Sequence, residues 1–303
     1  MKWAEARLPV ATEVAEAVAA AFLEAGSAGT ATLPGDAVGQ VAVVGYFPVD
    51  DGLDARLVDL RRRLRHLRAA GIAVPTSSGL SLRPLADEAW ATAWRAYFRP
   101  QRVGERILVV PGWEQPEPRA GDVVVRIDPG QAFGTGSHPT TRLCLAALEN
   151  HLRAGDRVLD WGTGSGILAI AATLLGAREV LAVDVDPIAV EAARANVQAN
   201  DVADRVVVVH GDLVAVPTAG GPFDLAVANI VAEVIAGGAA QLAERVRPDG
   251  RLITGGVVAA PRKLSGLVEG ALAGAGFVPL EVTREEEWVT TVYRSRRSRD
   301  AAG

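Results

Sequence analysis

The sequence predicts an α/β protein with a doubly wound, mostly parallel sheet, preceded by a smaller ferredoxin-like α+β domain. Three observations predict it. From residue 157 onward, short continuous apolar runs alternate with helical stretches, the pattern of strands buried on both faces. The first 85 residues instead read strand–helix–strand twice, the order of a ferredoxin-like sandwich. At 303 residues and 49% hydrophobic, the chain is long and apolar enough for two separate cores.

The elements follow in order. Residues 3–10 alternate well enough for a strand, and residues 12–26 form a helix on Val14, Val18 and Phe22, closed by Gly26. Residues 30–33 and 41–49 read as strands separated by Pro34, Gly35 and Asp36. Residues 54–71 give the clearest helix, with Leu53, Leu57, Leu60, Leu64 and Leu67 on one face. Residues 79–85 close the set as a fourth strand. Residues 86–118 then break the pattern. Trp90, Trp94, Tyr97, Phe98 and Trp113 gather there before a proline-rich run, which reads as a short amphipathic helix and an extended linker. In residues 119–303, strands are expected at 157–159, 179–183, 206–209, 225–228 and 252–254, with helices at 167–175 and 187–198. The right-handed crossover rule puts those helices on both faces of the sheet. Two last strands, 277–282 and 288–293, follow without a helix between them and read as an antiparallel edge hairpin. The tail from Ser295 is polar.

Composition excludes several classes of function. The single cysteine, Cys144, leaves no internal disulfide and no cysteine-built zinc site, and no metal site is expected. No run approaches the roughly 20 apolar residues of a membrane span, and the first residues lack a signal peptide's apolar core. A cytoplasmic protein is expected, without a membrane partner. The net charge is −5, and neither half of the chain is polybasic, so no nucleic-acid partner is required.

The strongest local signal runs from Asp160 through Gly166 (DWGTGSG), directly after one expected strand and before a helix. Glycines there let the backbone turn sharply and approach a ligand closely. The spacing is not that of a dinucleotide fingerprint, because Ile167 stands where its third glycine belongs, and no P-loop lysine follows. An acid two residues before Gly162, with Gly164 beyond, suits a cationic cofactor group and would repel a pyrophosphate. S-adenosylmethionine (AdoMet), with its sulfonium and amino group, fits. Asp184 ends the next strand, where an acid is placed for ribose hydroxyls, and no cap or turn explains it locally. Asp186 reads as the N-cap of a helix opened by Pro187. Asp212, after the following strand, faces either the adenine amino group or a turn that it caps. Asn229 emerges from a buried apolar strand at the sheet's carboxyl edge. There its carbonyl oxygen, with a backbone carbonyl from Asn229 or Ile230, is placed to accept from a substrate amine. A glycine- and threonine-rich loop, 128–141, surrounds Phe133 and carries His138; loops of this composition usually serve a site.

The segments DPGQAFGTGSHPTT, DWGTGSG, AVDVDP and VANI, in that order, resemble the PrmA family, bacterial methyltransferases of a large-subunit ribosomal protein, L eleven. The likeness runs along nearly the whole chain. It implies a seven-stranded Rossmann-like methyltransferase sheet, with residues 1–85 as a substrate-recognition domain, 86–118 as a linker and 119–303 as the AdoMet-binding catalytic domain. It implies cofactor contacts at Thr141, Gly162, Asp184 and Asn229, to which the residue reading adds Asp160, Gly164 and Asp212. It also implies a lysine or N-terminal amine as methyl acceptor, oriented by Asn229 and walled by Phe133. His138 is then either the proton acceptor or a hydrogen-bonding member of the loop. A monomer is expected. The rival readings are a methyltransferase of another protein, a small molecule or RNA, and a non-catalytic AdoMet-binding module for ribosome assembly. One candidate docking surface is the arginine face of the 54–71 helix, with Arg61, Arg62, Arg65 and Arg68.

Overall fold

The computed structural model describes residues 2–27, 29–35, 39–69, 72–75, 79–85, 99–128, 136, 138–216, 221–259 and 262–296. The chain divides into two compact units, Met1–Arg99 and Pro100–Gly303.

The first unit runs β1 (Lys2–Ala11), α1 (Ala15–Glu24), β2 (Thr30–Pro34), β3 (Gln40–Val49), α2 (Leu53–Ala69) and β4 (Ser81–Leu85). Its sheet has the order β2-β3-β1-β4, with every pair antiparallel. That is the ferredoxin-like arrangement the strand–helix–strand repeat predicts. Leu8, Val18, Phe22, Phe47, Leu57, Leu60 and Leu64 fill one core between sheet and helices. Leu57, Leu60 and Leu64 recur at helical spacing, so one stripe of α2 buries while its arginines stay outside. The helix expected from Thr12 begins three residues later, because Thr12–Val14 tightens into a single 3-10 turn.

The second unit opens with a three-stranded sheet that the periodicity does not announce. It comprises β5 (Gln101–Val103), β6 (Ile107–Pro111) and β7 (Val123–Ile127). β6 pairs antiparallel with β5 and parallel with β7. Part of the expected linker is therefore structure: Ile107, Val109, Val125 and Ile127 sink into the core of this second unit. The helix expected around Trp90–Phe98 lies outside the described residues.

The main sheet follows: α3 (Pro139–His151), β8 (Arg157–Trp161), α4 (Ile167–Leu174), β9 (Glu179–Asp184), α5 (Pro187–Ala199), β10 (Val206–His210) and β11 (Phe223–Asn229). Then come α6 (Ala232–Gly237), α7 (Ala239–Arg245), β12 (Val246–Val258), α8 (Arg262–Gly274), β13 (Phe277–Glu285) and β14 (Trp288–Ser295). Seven strands lie in the order β10-β9-β8-β11-β12-β14-β13. β10 to β12 are parallel to their neighbours, while β14 runs antiparallel to both β12 and β13. The final hairpin thus docks through its second strand, leaving β13 at the edge.

Alternation along each strand feeds two cores. Val158, Val180, Ala182, Leu225 and Val227 face α3, α4 and α5. Leu159, Leu181, Val183, Ala226 and Ala228 face α6, α7 and α8. Strand order reverses between β8 and β11, and β8, β9 and β11 all end on one edge there. That edge is where an open α/β sheet offers a ligand crevice.

Candidate active site

The glycine loop leaves β8 at this edge. Amides of Gly162 and Thr163 donate to the Val183 carbonyl of β9, 2.8 and 3.1 Å away, so the loop folds across the end of the neighbouring strand. Gly162 holds φ at +76°, and a Cβ there would collide with the Ile230 side chain, so the position excludes any larger residue. Gly164 and Gly166 are also left-handed, and Gly166 opens α4.

Asp160 lies beneath this loop, fully buried. The Thr163 hydroxyl donates to its Oδ2 at 2.6 Å, while Oδ1 has no partner among the described residues. Burial pushes its carboxyl up to about 7, with the Asp184 charge adding to the rise and the Thr163 bond opposing it. The sequence reading takes this acid as a carboxylate suited to a cationic cofactor group. The surroundings instead raise the share of its protonated form near neutral pH.

Asp184 ends β9 and, contrary to the sequence expectation, has structural partners. Its Oδ2 accepts from the Gly164 amide at 2.8 Å and its Oδ1 from the Asp186 amide at 3.0 Å. The first partner is invisible locally, because parallel pairing of β8 with β9 brings residue 164 to residue 184. Each oxygen keeps a further lone pair for a ligand. Asp186 caps α5 through the Ile188 amide, as its place before Pro187 predicts. Asp212 follows β10 and also caps: its Oδ1 accepts from the Leu213 amide at 2.7 Å and from the Trp161 indole at 2.8 Å.

Asn229 closes β11 opposite Gly255 of β12. Its Oδ1 is buried without a partner among the described residues, and so is the Thr141 hydroxyl in the first turn of α3. A Cβ on Gly255 would collide with both that Asn229 oxygen and the Cys144 sulfur, so α3 and Asn229 press on the same stretch of β12. Burial holds the Cys144 thiol up at about 12, which leaves it a packing group and not a nucleophile. His138 is the N-cap of α3, with Nδ1 2.7 Å from the Thr140 hydroxyl and its ring edge-on to Trp288 at 4.9 Å. Phe133 lies outside the described residues.

The fold therefore brings Thr141, Asp160, Gly162, Gly164, Asp184, Asp212 and Asn229 to one sheet edge. Three contributions escaped the sequence reading, which names Ile230 only for its backbone carbonyl. Ile230 packs over Gly162. Trp161 holds Asp212. Asn196, buried on α5, accepts from the Asp128 amide at 2.9 Å and donates to the Ser165 carbonyl at 2.8 Å. An asparagine set among the apolar positions of a helix was the one available signal for it.

A family model described as ribosomal protein L11 methyltransferase (PrmA) matches residues 2–296. The chain belongs to this family. A ribosomal protein L11 methyltransferase of Pelotomaculum thermopropionicum is 39% identical over 97% of this chain and 99% of its own. One from Symbiobacterium thermophilum is 43% identical over 84% of this chain and 81% of its own. The crystal structure of a ribosomal protein L11 methylase from Lactobacillus delbrueckii subsp. bulgaricus superposes with a TM-score of 0.60 at 33% identity, covering 66% of this chain and all of that one. As a member, the chain is an AdoMet-dependent methyltransferase. Its residues fit that cofactor. Leaving a buried polar group unpaired costs about 1–3 kcal/mol; Thr141, Asp160 and Asn229 each carry such an oxygen, and the parallel register of β8 with β11 sets Asn229 beside the left-handed glycine loop that follows Asp160. Those oxygens are what a ligand with ammonium and hydroxyl donors would satisfy.

Proposed function

We propose that this chain methylates amine nitrogens of ribosomal protein L11, taking lysine side chains or the N-terminal amine as acceptors. The observation that carries the reading is the orphaned Asn229 oxygen at the sheet edge, in a chain whose relatives are named for methylation of that protein.

AdoMet supplies a methyl group on a positively charged sulfur, poised for in-line displacement. Gly162 and Gly164 would give it a close backbone, Asp184 would take its ribose hydroxyls, and Asp212 would take its adenine amino group. Asp160 and Thr141 serve its amino-acid end. What remains for the protein is alignment and desolvation. A lysine must be neutral to attack, and removing its proton at pH ~7.5 from a pKa of ~10.4 costs roughly 4 kcal/mol. A water-poor pocket beside a cationic cofactor lowers that cost. Asn229 accepts a hydrogen bond from an N–H of the amine and so aims its lone pair. His138 serves chiefly as the cap of α3, a role its ring nitrogen already fills.

The ferredoxin-like unit is the recognition module in this proposal, and the exposed Arg61 and Arg65 of α2 are its candidate contacts. Arg62 and Arg63 are engaged with Asp59, and Arg68 with the Val74 and Pro75 carbonyls. The reaction takes place in the cytoplasm with a monomeric enzyme and needs no nucleic acid. Among the described residues no helix is long and apolar enough to cross a membrane.

Tritium transfer from methyl-labelled AdoMet to purified large-subunit proteins tests the reading. Label is expected in L11. Label in another protein, or none in L11, would replace it with one of the rival readings.

A further inference from the structure

Trp161 ends β8 one residue after Asp160, and strand alternation turns its side chain toward the opposite core, beside Leu159 and Val183. It is almost fully buried. Gly238, at the junction of α6 and α7, lies so close that a Cβ there would collide with the indole. The ring is thus wedged in place, and its N–H, which can only donate, has one direction to point. It points at Asp212 Oδ1, 2.8 Å away. The Leu213 amide lands on the same oxygen at 2.7 Å. Both protein donors are spent on Oδ1, and Oδ2 has no donor among the described residues.

We propose that Trp161 is a positioning residue for base recognition: by fixing Asp212 Oδ1, it presents Oδ2 as a pure acceptor and makes the site choose a 6-amino purine over a 6-oxo purine. The inference rests on the assignment of Asp212 to the adenine made above. A carboxylate oxygen accepts from an exocyclic amino group and is repelled by a carbonyl oxygen at the same ring position. A turn cap alone needs only the Leu213 amide. The indole adds a second restraint, which decides which oxygen stays open.

The test compares S-adenosylhomocysteine with S-inosylhomocysteine by titration calorimetry on the full chain. The variants are Trp161→Phe, Asp212→Asn and a protein carrying benzothienylalanine at position 161, whose ring keeps its shape with sulfur in place of N–H. The benzothienylalanine protein carries the test should Trp161→Phe misfold. Loss of the indole bond is expected to weaken the adenosyl ligand about tenfold, the scale of one hydrogen bond to a charged group. The inosyl ligand should stay within about twofold, so that discrimination collapses. Asp212→Asn should shrink the same ratio. Equal losses for both ligands, or no loss, in the position-161 proteins overturn the positioning role. If Asp212→Asn also leaves both affinities unchanged, the assignment of Asp212 to the base falls as well.

Discussion

At the scale of single residues, the candidate site is a set of polar groups held by neighbours distant in sequence. Asp184→Ala is expected to cost about 1.5–3 kcal/mol in AdoMet affinity, the worth of a hydrogen bond to a charged group, read by calorimetry. It should also lower the melting temperature, since the Gly164 and Asp186 amides lose their acceptor. Asn229→Ala should depress turnover more than it weakens AdoMet, because the asparagine is assigned to the amine in flight as well as to the cofactor. Parallel losses at saturating AdoMet would make it a cofactor residue alone. Asp160 gives a pH signature. Its folded-state value of about 7 lies above the ordinary 3.8, so between those limits the folded chain holds a proton that the unfolded chain has released. That contribution is complete at low pH and is lost as pH rises from about 4 to about 7. Melting temperatures of wild type and Asp160→Asn across that window should converge at the acid end and diverge toward pH 7, with wild type the less stable. Parallel curves would show an ionised Asp160 throughout.

Legibility at this scale followed distance along the chain. Asp186 was readable because its cap partner is two residues away and Pro187 marks the helix start. The Asp186 amide on Asp184 is just as local and was overlooked, but its Gly164 partner is 20 residues upstream and the Trp161 partner of Asp212 is 51, so only strand register brings those together. Asp160 reads as an anion from its motif, but its burial is a property of the packed loop and could not be read from spacing.

Among the elements, α3 carries the closest link between folding and chemistry. Its first turn holds Thr141, Cys144 in its second turn packs against Gly255 of β12, and its cap is His138. Removing a cap costs about 0.5–2 kcal/mol. His138→Ala should therefore destabilise the protein by about 1 kcal/mol, while His138→Asn, which restores a capping side chain without imidazole chemistry, should recover both stability and turnover. Recovered stability with turnover still lost would assign His138 to proton transfer. The long parallel strands were legible because burial on both faces leaves uninterrupted apolar runs. β5, β6 and β7 were not. β5 spans only three residues, β6 and β7, though as long as β8 and β10, stand beside Gly- and Pro-containing chain, and the half-buried Val123 and Val124 blur the pattern.

On the scale of the whole molecule, two cores in sequence predict that the proposed recognition unit can be cut from the unit that carries the candidate site. The cut belongs before Pro100, because Ile107 and Val109 of β6 are part of the second unit's core and a start at Arg119 would strip them. A fragment from residue 100 onward should fold, by circular dichroism, and bind S-adenosylhomocysteine, yet lose methylation of intact L11. Equal rates for fragment and full chain would remove the first unit from recognition. The central claim, that L11 amines are methylated at the carboxyl edge of the main sheet, is tested most directly by peptide mass mapping of L11. The protein is incubated with deuterium-labelled AdoMet and either wild type or Asn229→Ala. The account predicts labelled methyl groups on lysine or N-terminal amines with wild type, and a sharp loss with the folded, cofactor-binding variant. Unlabelled L11 in the presence of folded, AdoMet-binding wild-type enzyme would contradict it.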